Sequence, residues 1–260
     1  MERNAENEDR LRALLGPERG KNIFWLTETD STNRQLRTLA ESGAAGGSVL
    51  LADAQTAGRG RLGRQFASPA EKGLYLSYLL RPDIPPSELG KLTPWAAVAV
   101  RRAVKAVCGL EADIKWVNDL LCRGRKLCGI LTEGAFRDGK LCYAVLGVGL
   151  NVSALPEDFP PELRETATSV YQETGQFFDR VALAAEIIRA LDELPTLWEH
   201  GDEAYYREYR ARCMTLGRYV RLSTGETGFA ADLDRDFALL LRREDGTEAR
   251  VTTGEALFRE

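Results

Sequence analysis

Between Thr56 and Pro69 the chain reads as neither helix nor strand. Gly58-Arg59-Gly60-Arg61-Leu62-Gly63-Arg64 interleaves glycine with arginine and shows no period of 3.6 or 2. Whatever the fold, it must present an irregular and strongly basic loop at this point. Glycine lets backbone amides turn toward an anion, and the planar fork of arginine suits carboxylate and phosphate oxygens. The stretch does not lead straight into a helix, so it is not a dinucleotide fingerprint. No Gly-Lys-Ser/Thr follows it, so it is not a Walker loop. On composition alone, a flexible basic surface loop or an arginine–glycine contact to RNA fits as well.

The flanking segments are regular. Ile23 to Leu26 predicts a short strand. Asp30-Ser31-Thr32-Asn33 offers N-cap residues for a helix carrying Leu36, Leu39 and Ala40, with Gly43 as its stop. Strands are expected at Ser48–Ala52, Leu74–Leu80, Ile114–Trp116, Leu120–Cys122, Gly129–Glu133 and Leu141–Leu150. Helical spacing covers Lys91–Val107 and Phe178–Trp198. After Arg212 the character changes to short strands at Tyr219–Leu222, Thr227–Leu233, Phe237–Leu241 and Ala249–Thr252, separated by turns, as in a small barrel. The expected organisation is an N-terminal extension over 1–21 with room for one short helix, an α+β domain over 22–212 and an all-β module over 213–260.

The 260 residues carry 35 basic and 39 acidic side chains, a net charge of -4 that argues against a surface built as a whole for nucleic acid. No apolar run approaches the ~18 residues that span a bilayer, and the polar, acidic start is unlike a signal peptide. The five cysteines, irregularly spaced, and the single His200 give no zinc or redox spacing. They read as buried thiols of a reducing compartment, so a cytoplasmic location is expected.

A second stretch gives the basic loop a context. Lys115-Trp116-Val117-Asn118-Asp119-Leu120 is followed by Arg125-Lys126-Leu127-Cys128-Gly129-Ile130-Leu131, and both alternate polar with apolar residues, so the polar set is expected on one side of a sheet. With the GRGRLGR loop, these motifs resemble those of biotin–protein ligases, a GRGRxGR loop and a KWPNDL…RKLxGIL hairpin. Asp30-Ser31-Thr32-Asn33, Gln55 and Gly147-Val148-Gly149-Leu150-Asn151 match in the family's order. The resemblance covers about residues 23 to 152, with a weaker echo in the C-terminal barrel.

The resemblance implies a mixed sheet with flanking helices, related to class II aminoacyl-tRNA synthetases, and a small C-terminal SH3-like barrel. It implies ATP-dependent formation of biotinyl-5'-AMP, then transfer of biotin to a lysine of a biotin carboxyl carrier protein. Ser31, Thr32, Asn33 and Gln55 would meet the ureido ring, although Ser31 and Thr32 also suit a helix cap. Arg59, Gly60 and Arg61 would close over the biotin carboxylate and the phosphates. Lys126 would sit between carboxylate and α-phosphate, with Arg61 its catalytic partner. Arg64, Phe66, Asn118 and Asn151 would lie on the nucleotide side, and Asp119 would contact Mg²⁺. The chemistry needs cations, because two unit negative charges ~4 Å apart repel by about 4 kcal/mol at an effective dielectric of 20. The mixed anhydride must also be kept dry, so the 58–68 segment is expected to be mobile without ligand. No acyl-carrying nucleophile is expected among the cysteines.

Val117 departs from the family's proline, and Phe66 stands where an aromatic residue, often tryptophan, is usual. Residues 1–21 are too few and too acidic for a winged helix-turn-helix, so no repressor function and no DNA partner are expected. Some family members pair through the catalytic sheet, which leaves a homodimer open. A lipoate or octanoate ligase is the nearest rival reading, and a non-catalytic small-molecule sensor or RNA-binding module the more distant one.

Overall fold

A computed structural model of the chain describes residues 2–258. Two helices, α1 (Ala5–Leu15) and α2 (Pro17–Gly20), precede β1 (Ile23–Thr29) and α3 (Thr32–Glu41). Next come β2 (Val49–Gln55), β3 (Gly73–Leu80), α4 (Leu92–Cys108), β4 (Asp113–Lys115) and β5 (Asp119–Cys122). The long hairpin of β6 (Arg125–Arg137) and β7 (Lys140–Asn151) follows, then α5 (Val170–Thr174), α6 (Arg180–Asp192), α7 (Leu197–His200) and α8 (Glu203–Arg212). These strands form one mixed sheet in the order β1-β2-β3-β7-β6-β5-β4, parallel only between β1 and β2. The C-terminal strands β8 (Tyr219–Leu222), β9 (Thr227–Leu233), β10 (Leu239–Arg242), β11 (Glu248–Val251) and β12 (Ala256–Phe258) form a second, antiparallel sheet. No helix among the described residues is long and apolar enough to cross a membrane.

β3 is buried along its whole length, which is why Gly73-Leu74-Tyr75-Leu76-Ser77-Tyr78-Leu79-Leu80 only half obeys an apolar/polar alternation. On one face Leu74, Leu76 and Leu80 pack with Leu146 and Val148 against α4 and α6. On the other, Leu36 and Ala40 of α3 cover Leu50, Ala52, Leu79 and Val145. That second layer reaches only part of the sheet. The rest of the face, over β6 and β7, carries the candidate site.

Several elements differ from expectation for identifiable reasons. The helix expected over Phe178–Trp198 breaks after Asp192, because Pro195 cannot donate an amide to a continuing helix, and the chain makes a 3-10 turn over Leu194–Thr196 before α7. The strand expected at Gly129–Glu133 is the middle of β6, whose charged ends conceal its length. β12 has three residues, too few to show a period. Cys142 is exposed, unlike Cys108, Cys122, Cys128 and Cys213, so the expectation of uniformly buried thiols fails at this position.

The charged N-terminal stretch is bound into the sheet edge. Buried Glu8 accepts the Trp25 amide at 2.9 Å and pairs with Arg3 and Arg12. Asp53, also buried, accepts from Asn4 Nδ2 at 2.7 Å and Trp25 Nε1 at 3.1 Å, and pairs with Arg180 at 2.9 Å. Breaking a buried ion pair from one side leaves an uncompensated charge and costs about 3–5 kcal/mol. Asp53→Ala should therefore lower the unfolding free energy by about 3 kcal/mol or more, read by urea denaturation. A loss below about 1 kcal/mol would mean that the network contributes no more than surface pairs do.

Candidate active site

The C-terminal end of β1 turns directly into α3, and this turn forms one wall. Ser31 is the N-cap residue, yet its hydroxyl makes no capping bond. The Thr32 amide is taken by Gln55 Oε1 at 2.9 Å, and the Ser31 amide by Asp30 Oδ1 at 2.6 Å. Ser31 itself is buried and lines the cavity. Gln55 Nε2 donates to Ser68 Oγ at 2.9 Å, so the last residue of β2 clamps the far end of the basic loop to α3.

The floor is made of glycines. Gly129, Gly147 and Gly149 pair across β6 and β7, with Gly129 opposite Gly149. A Cβ on Gly149 would lie 2.6 Å from the Phe66 ring, and one on Gly147 would run into the Asn33 carboxamide. The glycines of the Gly147-Val148-Gly149 motif thus let a ring from the loop and an amide from α3 lie directly on the backbone.

Lys126 reaches this floor through an irregularity. Strict alternation would put it on the face of Cys128, which is fully buried in the core. The β5–β6 register shifts between Leu120 and Leu121, so that Leu120 pairs with Cys128 but Leu121 with Lys126. This bulge carries Lys126 over Gly129, where a Cβ would touch the lysine Cε at 3.1 Å. Lys126 Nζ is 2.8 Å from Asp119 Oδ1, which also accepts from Asn118 Nδ2 at 2.8 Å. The expectation that the polar residues share one side by simple alternation is corrected at this position. The Trp116–Val117 peptide, within the first of the two stretches, is cis.

The basic loop is ordered into a narrow turn, with Arg59 bridging Gln65 and a 3-10 turn over Arg61–Gly63. Its three arginines point to different partners. Arg59 pairs with Glu133 at 2.9 Å. Arg61 donates to Asn118 Oδ1 at 2.9 Å and to the Gly254 carbonyl at 3.1 Å. Arg64 pairs with Glu255 at 2.5 Å. Burial lowers the Arg61 pKa, opposed by the nearby charges of Asp119 and Glu255, and the guanidinium remains a cation.

Two cavities meet beneath the loop. The smaller, about 50 Å³, lies over the glycine floor between Ser31, Thr32, Asn33, Gln55 and Arg59. The larger, about 440 Å³, runs toward Asp119, Asn151, Phe159 and the C-terminal barrel. Gly60, Arg61, Phe66, Asn118 and Lys126 border both. Arg59 lines only the smaller one and Arg64 only the larger. Asn151 lines the larger cavity while its amide donates to the Thr168 carbonyl at 2.9 Å.

Sequence reasoning missed Ser77, Glu133 and Glu255, and gave Lys115 of the motif no role. Ser77 donates to Asn33 Oδ1 at 2.6 Å, and Glu133 accepts from Asn33 Nδ2 at 2.8 Å. Lys115 and Glu255 line the larger cavity from β4 and from the segment before β12. Ser77 and Glu133 each interrupt an apolar strand, which is a signal. Glu255 lies far off in sequence and offers none.

The family these residues define is the biotin/lipoate A/B protein ligase family, whose model matches residues 25–151, and the chain belongs to it. Its relatives carry the biotin specialisation in their names. The biotin–[acetyl-CoA-carboxylase] ligase of Mycobacterium tuberculosis is 39% identical over 88% of this chain and 86% of its own. The bifunctional ligase/repressor BirA of Bacillus subtilis is 34% identical over 87% of this chain and 71% of its own. Among solved structures, the Aquifex aeolicus biotin protein ligase in complex with biotin and ATP superposes with a TM-score of 0.77 at 31% identity. It covers 92% of this chain and 99% of that one.

Burial raises the thiol pKa of Cys108 and Cys122 to about 11, and those of Cys128 and Cys213 also rise. Thiolate is the reactive form. Brief iodoacetamide treatment of the native protein at neutral pH should therefore modify Cys142 alone, read by peptide mass spectrometry. Rapid modification of Cys128 would contradict the burial described.

Proposed function

We propose that the chain activates biotin with ATP, forming biotinyl-5'-AMP and diphosphate, and then transfers the biotinyl group to a lysine of a biotin carboxyl carrier protein in the cytoplasm. The observation that carries this reading is the seam between the two cavities. A carboxylate entering from the smaller cavity and an α-phosphate from the larger would meet beside Arg61 and Lys126.

In the first step a biotin carboxylate oxygen attacks the α-phosphorus and diphosphate leaves. Lys126 and Arg61 would hold the two anions together and stabilise the charge that grows on the α-phosphate oxygens. Ser31, Thr32, Asn33 and Gln55 would orient the ring, while Phe66, Asn118 and Asn151 border the nucleotide side. Mg²⁺ would arrive on the phosphates. Asp119, beside Lys126, is a carboxylate that can take it, matching the usual share of one or two protein carboxylates with substrate phosphates. The bound ion neutralises phosphate charge. In the second step a neutral acceptor amine attacks the acyl carbon and AMP leaves. In this division of labour residues 22–212 do the chemistry, residues 213–260 brace the loop through Gly254 and Glu255, and residues 1–21 brace the sheet edge.

Sites that enclose a small molecule usually exceed about 300 Å³, so the smaller cavity, at about 50 Å³, would have to widen for biotin. The loop would open for entry and close again over ligand. Limited proteolysis should cut within residues 58–68 faster in free protein than with biotin and ATP. Equal cutting would contradict the opening.

Diphosphate exchange into ATP, measured separately with biotin, lipoate and octanoate, tests the activity. We expect exchange with biotin alone. Arg61→Ala and Lys126→Ala should each lower it by about a hundredfold or more while the thermal midpoint stays near that of the native chain. Exchange with lipoate or octanoate instead, or near-native turnover in both variants, would overturn the reading.

A further inference from the structure

Glu133 stands outside both cavities, on β6 opposite Val145, yet it holds two residues that line the smaller one. Its Oε1 pairs with Arg59 at 2.9 Å and its Oε2 accepts from Asn33 Nδ2 at 2.8 Å. The carboxylate is three-quarters covered. On its other side the Asn33 carboxamide is fixed by Ser77 Oγ, which donates to Asn33 Oδ1 at 2.6 Å.

We propose that Glu133 is a positioning residue for biotin, setting the Arg59 guanidinium and the Asn33 carboxamide as one unit over the glycine floor. This rests on the biotin reading of the smaller cavity. The chemistry of the group matters as much as its place. Both neighbours are donors, and only a carboxylate accepts at both ends. A glutamine of the same shape can serve one of them, and then aims its own N–H groups at the other. The Asn33 amide could relieve the clash only by flipping, with Ser77 turning its hydroxyl hydrogen to Thr32 Oγ1 at 2.8 Å, and the flip exchanges the oxygen and nitrogen that Asn33 presents. Without the flip, Arg59 would be released from the cavity wall, or Asn33 would turn away from it.

The two arginines of the loop would accordingly do different work. Arg61 borders both cavities and acts at the seam, whereas Arg59 borders only the smaller one and acts with Glu133 on the biotin side. Loss of Glu133 should therefore weaken biotin and leave the nucleotide almost untouched.

Diphosphate exchange by the full chain separates these effects when biotin and ATP are titrated in turn. Glu133→Gln should raise the KM for biotin by about tenfold or more, with the KM for ATP and the thermal midpoint nearly unchanged. Glu133→Asp, which keeps two acceptor oxygens, should fall between Gln and the native residue. In an Arg59→Ala background the Gln substitution should raise the biotin KM by a clearly smaller factor, because one of its two targets is gone. A biotin KM within about twofold of native for the Gln variant, or equal factors in both backgrounds, would overturn the proposal. So would a parallel fall in ATP affinity and thermal midpoint, which marks a merely structural role. If the native chain itself shows no biotin-dependent exchange, the biotin reading fails first and this inference falls with it.

Discussion

Lys126 and Arg61 are held within reach of one another's partners, the lysine on Asp119 at 2.8 Å and the arginine on Asn118, which in turn donates to Asp119. Asp119 sets its negative charge against both cations. On the proposed function the same positive charge would meet the two anions, whose contact costs about 4 kcal/mol at 4 Å and an effective dielectric of 20. Much of the fold can be understood as the support for this arrangement. The bulge in β6 brings the lysine to the site, the glycines of β6 and β7 make a floor it can cross, and the loop brings the arginine.

The support extends to parts of the chain with no apparent link to chemistry. Trp116 donates its indole N–H to the Phe237 carbonyl at 2.9 Å, and Tyr209 its hydroxyl to the Val117 carbonyl at 3.1 Å. The turn that carries Asn118 and Asp119 is thus anchored to β10's approach and to α8. Arg61 and Arg64 reach the segment Thr253–Glu255, just before β12. The small barrel closes the far side of the larger cavity, so its strands do more than stabilise a terminus.

The sequence told much of this where chemistry is local. Glycine and arginine at residues 58–64 marked a loop because neither residue type at that spacing supports a period, and Lys126 and Asn118 stood out among apolar neighbours. It told less where position depends on distant chain. The side of the sheet reached by Lys126 depends on a register shift set by pairing with Leu120 and Leu121, which alternation cannot reveal. Ser31 stands at the N-cap position, yet its hydroxyl makes no capping bond and the residue lines the cavity. Glu255 enters the site by a fold-back of nearly two hundred residues, and Pro195 interrupts a run whose helical spacing continues past it.

If these cations serve the meeting of two anions, a ready-made adenylate should bypass the need for them. Chemically prepared biotinyl-5'-AMP is supplied to Lys126→Ala, and biotin transfer to the carrier protein is compared with its formation from biotin and ATP. Transfer joins a neutral amine to an acyl group and involves no anion pair. Formation of the adenylate should collapse while transfer from the supplied adenylate keeps most of its native rate. Equal losses in both steps would contradict it, and would mean that Lys126 serves the site as a whole rather than the encounter of carboxylate and phosphate.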